Sequence, residues 1–345
     1  MSHSNASVLL VYTGGTIGMI RNDETSVLES FNYKHLLKHI PELGKCGVNI
    51  DSYVFDKVID SSDMNPDEWV KIAKVVYDNY EKYDGFVILH GTDTMAYTAS
   101  ALSFMLVNLT KPVILTGSQL PIGDLRTDGK ENLLTSIEIA STRGEDGEMI
   151  IQEVCVFFEN HLMRGNRTTK LNAENFNAFH SCNYPNLADA GIHIKYDVAN
   201  LRRNTNDLPL KHYDAYDANV AVLTLFPGIQ QSVVEALLNA PGLRGVVLKT
   251  FGTGNAPRRD WLLRLLSEAS QRGIVIVNVT QCVEGAVDMS RYETGAQLIG
   301  TGVISGYDIT TESALTKLML LLGNEKSPEI VRSKMLTPIA GEMTV

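Results

Sequence analysis

Val8-Leu9-Leu10-Val11-Tyr12-Thr13-Gly14-Gly15-Thr16-Ile17-Gly18 is an apolar strand that passes directly into a turn of hydroxyls and glycines. The same unit returns along the chain. Phe86–His90 opens on His90-Gly91-Thr92-Asp93-Thr94, and Pro112–Thr116 opens on Thr116-Gly117-Ser118-Gln119. Val154–Phe158 leads to Glu159-Asn160 and then to Arg164–Lys170, while a run ending Val58-Ile59 leads to Asp60-Ser61-Ser62-Asp63-Met64. Helix-period segments lie between these strands. In one, Asn65 is the cap, Pro66 takes the first position, and Asp67 and Glu68 favour the positive end of the helix dipole. Its buried stripe is Trp69, Ile72, Val75, Val76 and Tyr80. A second helix starts at Asp128, with Glu131 at capping-box spacing. This alternation predicts an α/β fold with a mainly parallel sheet.

The pattern weakens between Ala190 and Asp217, where Asn200, Asn204, Asn206, Asp207 and Pro209 cluster, and resumes with Val220–Phe226. The expected organisation is an N-terminal α/β catalytic domain over 1–190, a linker over 191–218 and a smaller C-terminal α/β domain over 219–345. The 345 residues are enough for two cores, and 44% hydrophobic with 20% charged residues is a globular composition. A net charge of -10 repels phosphate backbones and anionic lipid, which argues against nucleic acid or membrane as partner. Cys46, Cys155, Cys182 and Cys282 are far apart, with no zinc spacing, so neither disulfides nor a metal are expected. With no signal-type leader in the sequence, a cytoplasmic location is expected.

In an open parallel sheet the carboxyl ends of the strands share one edge, and ligands bind in the crevice there. The five loops would meet at that edge, bringing hydroxyls, carboxylates and one lysine that suit a small, polar, zwitterionic substrate. Taken singly, each loop has other uses. Thr13–Gly18 fits a tight connection, a phosphate cradle or a nucleophile turn, although neither dinucleotide nor Walker spacing is present. Asp60–Asp63 fits a capping loop, and His90 a satisfied strand-end histidine. His35 and His39 share a helix face at i, i+4 with no third ligand, which fits a solvated face. Asp124–Asp128 suggests only positioning and helix capping.

The conjunction is more specific. Tyr12–Gly18 and His90-Gly91-Thr92-Asp93-Thr94-Met95 resemble, in order and context, the two signatures of the bacterial-type L-asparaginases. The resemblance extends through Asp60–Met64, Thr116–Gln119, Arg164–Lys170 and Gly252-Thr253-Gly254-Asn255-Ala256-Pro257, and is nearest to the cytosolic, type I branch. It implies a larger domain with a flavodoxin-like sheet flanked by helices, a smaller C-terminal α/β domain, and hydrolysis of L-asparagine without cofactor or metal. It implies Thr16 as nucleophile and Thr92, Asp93 and Lys170 as a second triad, since a threonine hydroxyl needs a proton relay at neutral pH. Asp93 would face the substrate ammonium. Ser61, with backbone near Ser62 and Gly91, would face its carboxylate, bordered by Asp60.

The resemblance also implies a homodimer or homotetramer in which Asn255 reaches the site of a neighbouring subunit. An effector site would fall near Thr169, Lys249 and Cys282, with Lys249 standing where arginine is expected; lysine lacks the bidentate fork. The segment Met19–Leu28 holds no tyrosine before Tyr33, where the family places one. Three alternatives accompany this reading. One is a glutamine-directed amidase, including an amidotransferase subunit, for which an extra domain ahead of Thr13 is expected. The others are an amino-acid sensor without catalysis and a nucleotide-binding protein, which would lack its phosphate-loop lysine.

Overall fold

The structure, a computed structural model, describes residues 6–18, 20–21, 28–29, 36, 39–204, 208–291 and 293–345. Most of the tyrosine-free segment, Tyr33, His35, Asn206 and Asp207 lie outside the described residues; His39 is exposed. The chain forms two compact units, 1–213 and 214–345.

The first unit is built on eight strands: β1 (Ser7–Tyr12), β2 (Asn49–Val54), β3 (Gly85–Leu89), β4 (Val113–Thr116), β5 (Val154–Phe158), β6 (His161–Arg164), β7 (Ala188–Ala190) and β8 (Ile194–Tyr196). Their spatial order is β8-β7-β6-β5-β4-β3-β1-β2. The strands β2, β1, β3, β4 and β5 are mutually parallel, whereas β6, β7 and β8 add on antiparallel. The order 2-1-3-4-5 is that of flavodoxin-like doubly wound sheets. Its crossovers are α1 (Pro66–Asn79), α2 (Met95–Met105) and α3 (Gly129–Ser141). β3, β4 and β5 are buried throughout and β1 beyond its first residue, because helices cover both faces of a parallel sheet.

Local chemistry starts the elements, and contacts from elsewhere in the chain account for departures from expectation. The Asn65 side chain accepts from the Asp67 and Glu68 N–H groups to start α1, and Trp69, Ile72, Val75, Val76 and Tyr80 are buried as the stripe requires. The capping box at α3 does not form. The Asp128 carboxylate turns instead to the Gln119 N–H, and the Thr127 hydroxyl takes the Gly129 N–H at 3.0 Å. The strand expected to end at Ile59 stops at Val54. β2 is an edge strand with a partner on one side only, so the chain leaves it after Phe55 and turns inward, where the Ile59 N–H donates to the Thr13 carbonyl at 2.8 Å. Part of the stretch expected as linker is structured. β8 lies within it, and Lys211–His212 pairs with Leu106–Val107.

The order of the sheet reverses between β1 and β3. A crevice opens at such a switch point, outside the carboxyl ends of the strands, and the turns after β1 and β3 are those that carry Thr16 and Thr92.

The second unit has a four-stranded parallel sheet, β9 (Val220–Thr224), β10 (Gly245–Thr250), β11 (Val275–Thr280) and β12 (Ile304–Ser305), in sequential order. The helices α4 (Gln231–Leu238), α5 (Asp260–Gln271), α6 (Glu293–Gly300), α7 (Thr311–Asn324) and α8 (Pro328–Met335) complete it. Its tail is clasped by an ion pair with no exposure on either side: Lys317 Nζ lies 2.6 Å from Glu342 Oε1. The same ammonium donates to the Met335 and Thr337 carbonyls, and Glu342 accepts the Ile339 and Ala340 N–H groups. Removing one partner of a buried pair leaves an uncompensated charge. Lys317→Met is expected to lower the unfolding free energy of this unit by about 3–5 kcal/mol in urea denaturation, and Lys317→Met/Glu342→Leu to recover much of that loss.

Candidate active site

The turn after β1 is shaped by approaches that leave no room for a side chain. Gly14 has φ +147°, and a Cβ there would lie 2.0 Å from the Ile59 carbonyl oxygen. Gly15 has φ +90°, and a Cβ there would lie 2.5 Å from the Gly91 nitrogen. The turn that bears Thr16 therefore rests directly on the loop that precedes Asp60 and on the turn after β3. Thr13 joins them further: its N–H and hydroxyl both donate to the Leu89 carbonyl, at 3.1 and 2.9 Å. Thr16 itself opens a short 3-10 turn and is partly exposed.

The Asp60 loop is a second 3-10 turn, Ser61–Asp63, capped by Asp60. The Ser62 N–H and hydroxyl both donate to Asp60 Oδ1 at 2.9 Å, and these bonds hold the carboxyl below its usual pKa. Asp60 is thus turned to its own loop. Ser61 is buried beside Gly91, and its carbonyl accepts the Thr94 hydroxyl at 2.6 Å, which ties the loop to the start of α2.

The turn after β3 is held from behind by His90, which is fully buried. His90 Nδ1 lies 2.7 Å from the Gly91 carbonyl, His90 Nε2 lies 2.9 Å from Thr98 Oγ1, and Trp69 Nε1 donates to Thr98 Oγ1 at 3.1 Å. A carbonyl only accepts and an indole only donates, so the ring carries its proton on Nδ1 and accepts from Thr98 at Nε2. Burial lowers the His90 pKa to about 4.

Lys170 arrives from the far side. Its short strand, Thr169–Lys170, pairs with Phe179–His180 and follows the turn Gly165–Arg167. That turn is fixed by Arg164, whose guanidinium meets Glu153 at 2.6 Å with both side chains almost fully buried. The Tyr184 ring has Arg164 at 4.3 Å and Arg167 at 5.0 Å from its centre. From this support Lys170 Nζ donates to Thr92 Oγ1 and to Asp93 Oδ1, each at 2.8 Å. The Asp93 side chain is two-thirds exposed, at 66%, whereas that of Lys170 is 15% exposed. A carboxylate open to the crevice beside a shielded ammonium leaves Asp93 free to meet a second cation.

Lys170 is therefore in direct contact with Thr92 and Asp93, Gly91 precedes them in the same turn, and Thr16 and Asp60, Ser61 and Ser62 stand on the two adjoining loops. Thr169 precedes Lys170. Asn255, Lys249 and Cys282 belong to the second unit. There Asn255 closes the turn after β10, and its side-chain oxygen accepts the Thr294 hydroxyl at 2.8 Å. Lys249 and Cys282 lie close to the carboxyl ends of the adjacent strands β10 and β11. Of the tyrosine-free segment, Ile20–Arg21 pairs antiparallel with Leu28–Glu29. Among the described residues no three His, Cys, Asp or Glu side chains gather as a metal site, and no helix is long and apolar enough to cross a membrane. Gln119 has no role legible in sequence, yet its amide oxygen accepts the Thr92 hydroxyl at 3.2 Å; it ends the Thr116–Gln119 loop, and its residue type alone does not single it out.

Comparison with known proteins follows the same outline. The profile described as Asparaginase, N-terminal matches residues 7–202, and that of the Glutaminase/Asparaginase C-terminal domain matches residues 219–335. The chain is 45% identical to L-asparaginase 1 of Escherichia coli K12 over 98% of each chain. It is 41% identical to the 60 kDa lysophospholipase of Mus musculus, over 98% of this chain and 62% of that protein. The crystal structure of L-asparaginase I from Vibrio cholerae superposes with a TM-score of 0.90 at 44% identity, covering 99% of this chain and 100% of the other.

The buried His90 makes the site sensitive to acid. Its folded pKa lies below that of the unfolded chain, so the unfolded state binds the extra proton and stability falls as pH drops from about 6.5 to about 4. The stability gap between wild type and His90→Gln, measured by urea denaturation, is expected to narrow by about 3 kcal/mol across that window.

Proposed function

The chain belongs to the asparaginase family, and from that premise we propose that it hydrolyses L-asparagine to L-aspartate and ammonia through an acyl-enzyme on Thr16. The observation that carries the reading is the Lys170 ammonium, 2.8 Å from both Thr92 Oγ1 and Asp93 Oδ1 at the switch-point crevice. Thr16 Oγ attacks the side-chain amide carbon, the C–N bond breaks, and the nitrogen leaves as ammonia with the proton surrendered by Thr16. Water then attacks the ester carbon, and its proton returns to Thr16 as aspartate is released. A threonine hydroxyl is a weak nucleophile, so both steps need a proton carrier, and Thr92 with Lys170 supplies it. N–H groups of the glycine turns meet the developing oxyanion.

Recognition divides by charge. Asp93, open to the crevice, takes the α-ammonium. Ser61, with backbone near Ser62 and Gly91, takes the α-carboxylate, and Asp60 sets the shape of that loop through Ser62. The working enzyme is a homodimer or homotetramer in which Asn255 of a neighbouring subunit completes the pocket, and it acts in the cytoplasm without metal or organic cofactor. Thr169, Lys249 and Cys282 stand near the effector positions of the family, with lysine in place of a forked guanidinium. Glutamine differs by one methylene, worth about 1–3 kcal/mol in discrimination, so slow glutamine hydrolysis accompanies the main reaction.

Ammonia release from L-asparagine and L-glutamine tests the reading, with Thr16→Val and Lys170→Met beside the wild type. Fast release from asparagine, slower release from glutamine and a loss of at least about 100-fold in each variant are expected. No release by a folded wild type sinks it. The name of the mouse relative adds a second assay, fatty-acid release from a lysophospholipid, and turnover there alone would replace the proposal.

A further inference from the structure

The hydroxyl of Thr92 has two close partners whose roles are chemically fixed. The Lys170 ammonium is a donor only, at 2.8 Å. On the other side lies the Gln119 amide, and its orientation is determined by its far end. Gln119 Nε2 donates at 3.1 Å to the Asn175 carbonyl, which can only accept, so Gln119 Oε1 must face Thr92. Thr92 therefore accepts from Lys170 and donates to Gln119, and the hydrogen bonds run in one direction from Lys170 through Thr92 to Gln119 and on to Asn175.

Gln119 is held to this task by a residue that its helix did not use. Both oxygens of the Asp128 carboxylate accept the Gln119 N–H at 3.0 Å, and Oδ1 also accepts the Leu120 N–H at 3.3 Å. Asn132 Nδ2 closes the arrangement, donating to the Gly117 carbonyl at 3.0 Å and to Asp128 at 3.2 Å. The Ser118 and Thr127 hydroxyls both donate to the Leu120 carbonyl. The loop after β4 thus has its backbone bonded on several sides, and Gln119 projects from it as a strut between Thr92 and the loop after Lys170.

We propose that Gln119 is a positioning residue for amide hydrolysis: it draws the Thr92 proton away from Lys170 and so keeps a lone pair of Thr92 Oγ aimed at the ammonium, while Asp128 fixes the loop that carries it. The proposal rests on the reading of Thr92 and Lys170 as the proton carrier. Gln119 acts through Thr92, not on the substrate, so its loss reads in kcat and leaves KM in place.

The test is steady-state ammonia release from asparagine by the full chain with Gln119→Met, Gln119→Glu, Thr92→Val and the double variant Thr92→Val/Gln119→Met, each with its melting temperature. Gln119→Met is expected to lower kcat about tenfold, the worth of one oriented hydrogen bond, with KM and melting temperature near wild type. Gln119→Glu keeps an acceptor toward Thr92 but loses the donor toward Asn175, and is expected to recover most of that kcat. The double variant is expected to match Thr92→Val alone, as residues acting as a unit do. Wild-type kcat in Gln119→Met overturns the proposal, as does Gln119→Glu falling as low as Gln119→Met, or a further loss in the double variant. Wild-type kcat in Thr92→Val sinks instead the reading on which it rests.

Discussion

Two backbone contacts that only glycine permits underlie the first unit. With a Cβ on Gly14 or Gly15, the turn after β1 would collide with Ile59 or Gly91, and both glycines hold φ values that side chains avoid. The crevice at the switch point would then widen, because the three loops around it are joined through these contacts and not through long side chains. Much of what lies in that crevice is short: threonine, serine, aspartate. Short side chains reach one another only if the backbones that carry them touch, so the glycines set the scale of the site.

Lys170 is the long side chain, and its support is correspondingly heavier. An ammonium that donates to both Thr92 and Asp93 has to arrive from a loop that does not drift. Arg164, paired with Glu153 and lying over the Tyr184 ring, supplies that rigidity six residues upstream. Burying such a pair is a poor source of net stability, since desolvation offsets much of the attraction. Its use here is geometric: a bidentate contact with Glu153 just before β5, a carbonyl of Asn200 and a ring face leave the guanidinium few alternative positions.

The parts of the structure that were legible in sequence were those written locally. Continuous apolar runs with polar turns announced the central strands, and Asn65-Pro66-Asp67-Glu68 announced α1 down to its buried face. The loops at the carboxyl edge were also legible, because their residue types and their position after strands go together. What was not legible depends on partners distant in the chain. Asp128 and Glu131 have capping-box spacing, yet the N–H groups of Gln119 and Leu120 compete for the same carboxylate and win it. Ile59 reads as the end of a strand, but its N–H is claimed by Thr13, 46 residues earlier. Gln119 carries no signal of its own, since its role exists only once Thr92 and Asn175 stand on either side.

His90 and Gln119 share a principle that a residue list conceals. Each faces a threonine hydroxyl, the one group in these chains that donates and accepts through a single atom and so has no orientation of its own. At Thr98 the ambiguity is removed by Trp69, a pure donor, and by a histidine whose proton is committed to the Gly91 carbonyl. At Thr92 it is removed by the Lys170 ammonium and by an amide whose nitrogen is committed to Asn175. Ends of fixed polarity thus settle the direction of the whole chain of hydrogen bonds before any substrate arrives. Dipoles oriented in advance need no reorganisation as charge develops, which is where electrostatic stabilisation of a transition state originates. The neutral His90 fits the same logic: a charged ring would lose its acceptor, turn the Thr98 hydroxyl and disturb the Gly91 carbonyl on which the Thr92 turn rests.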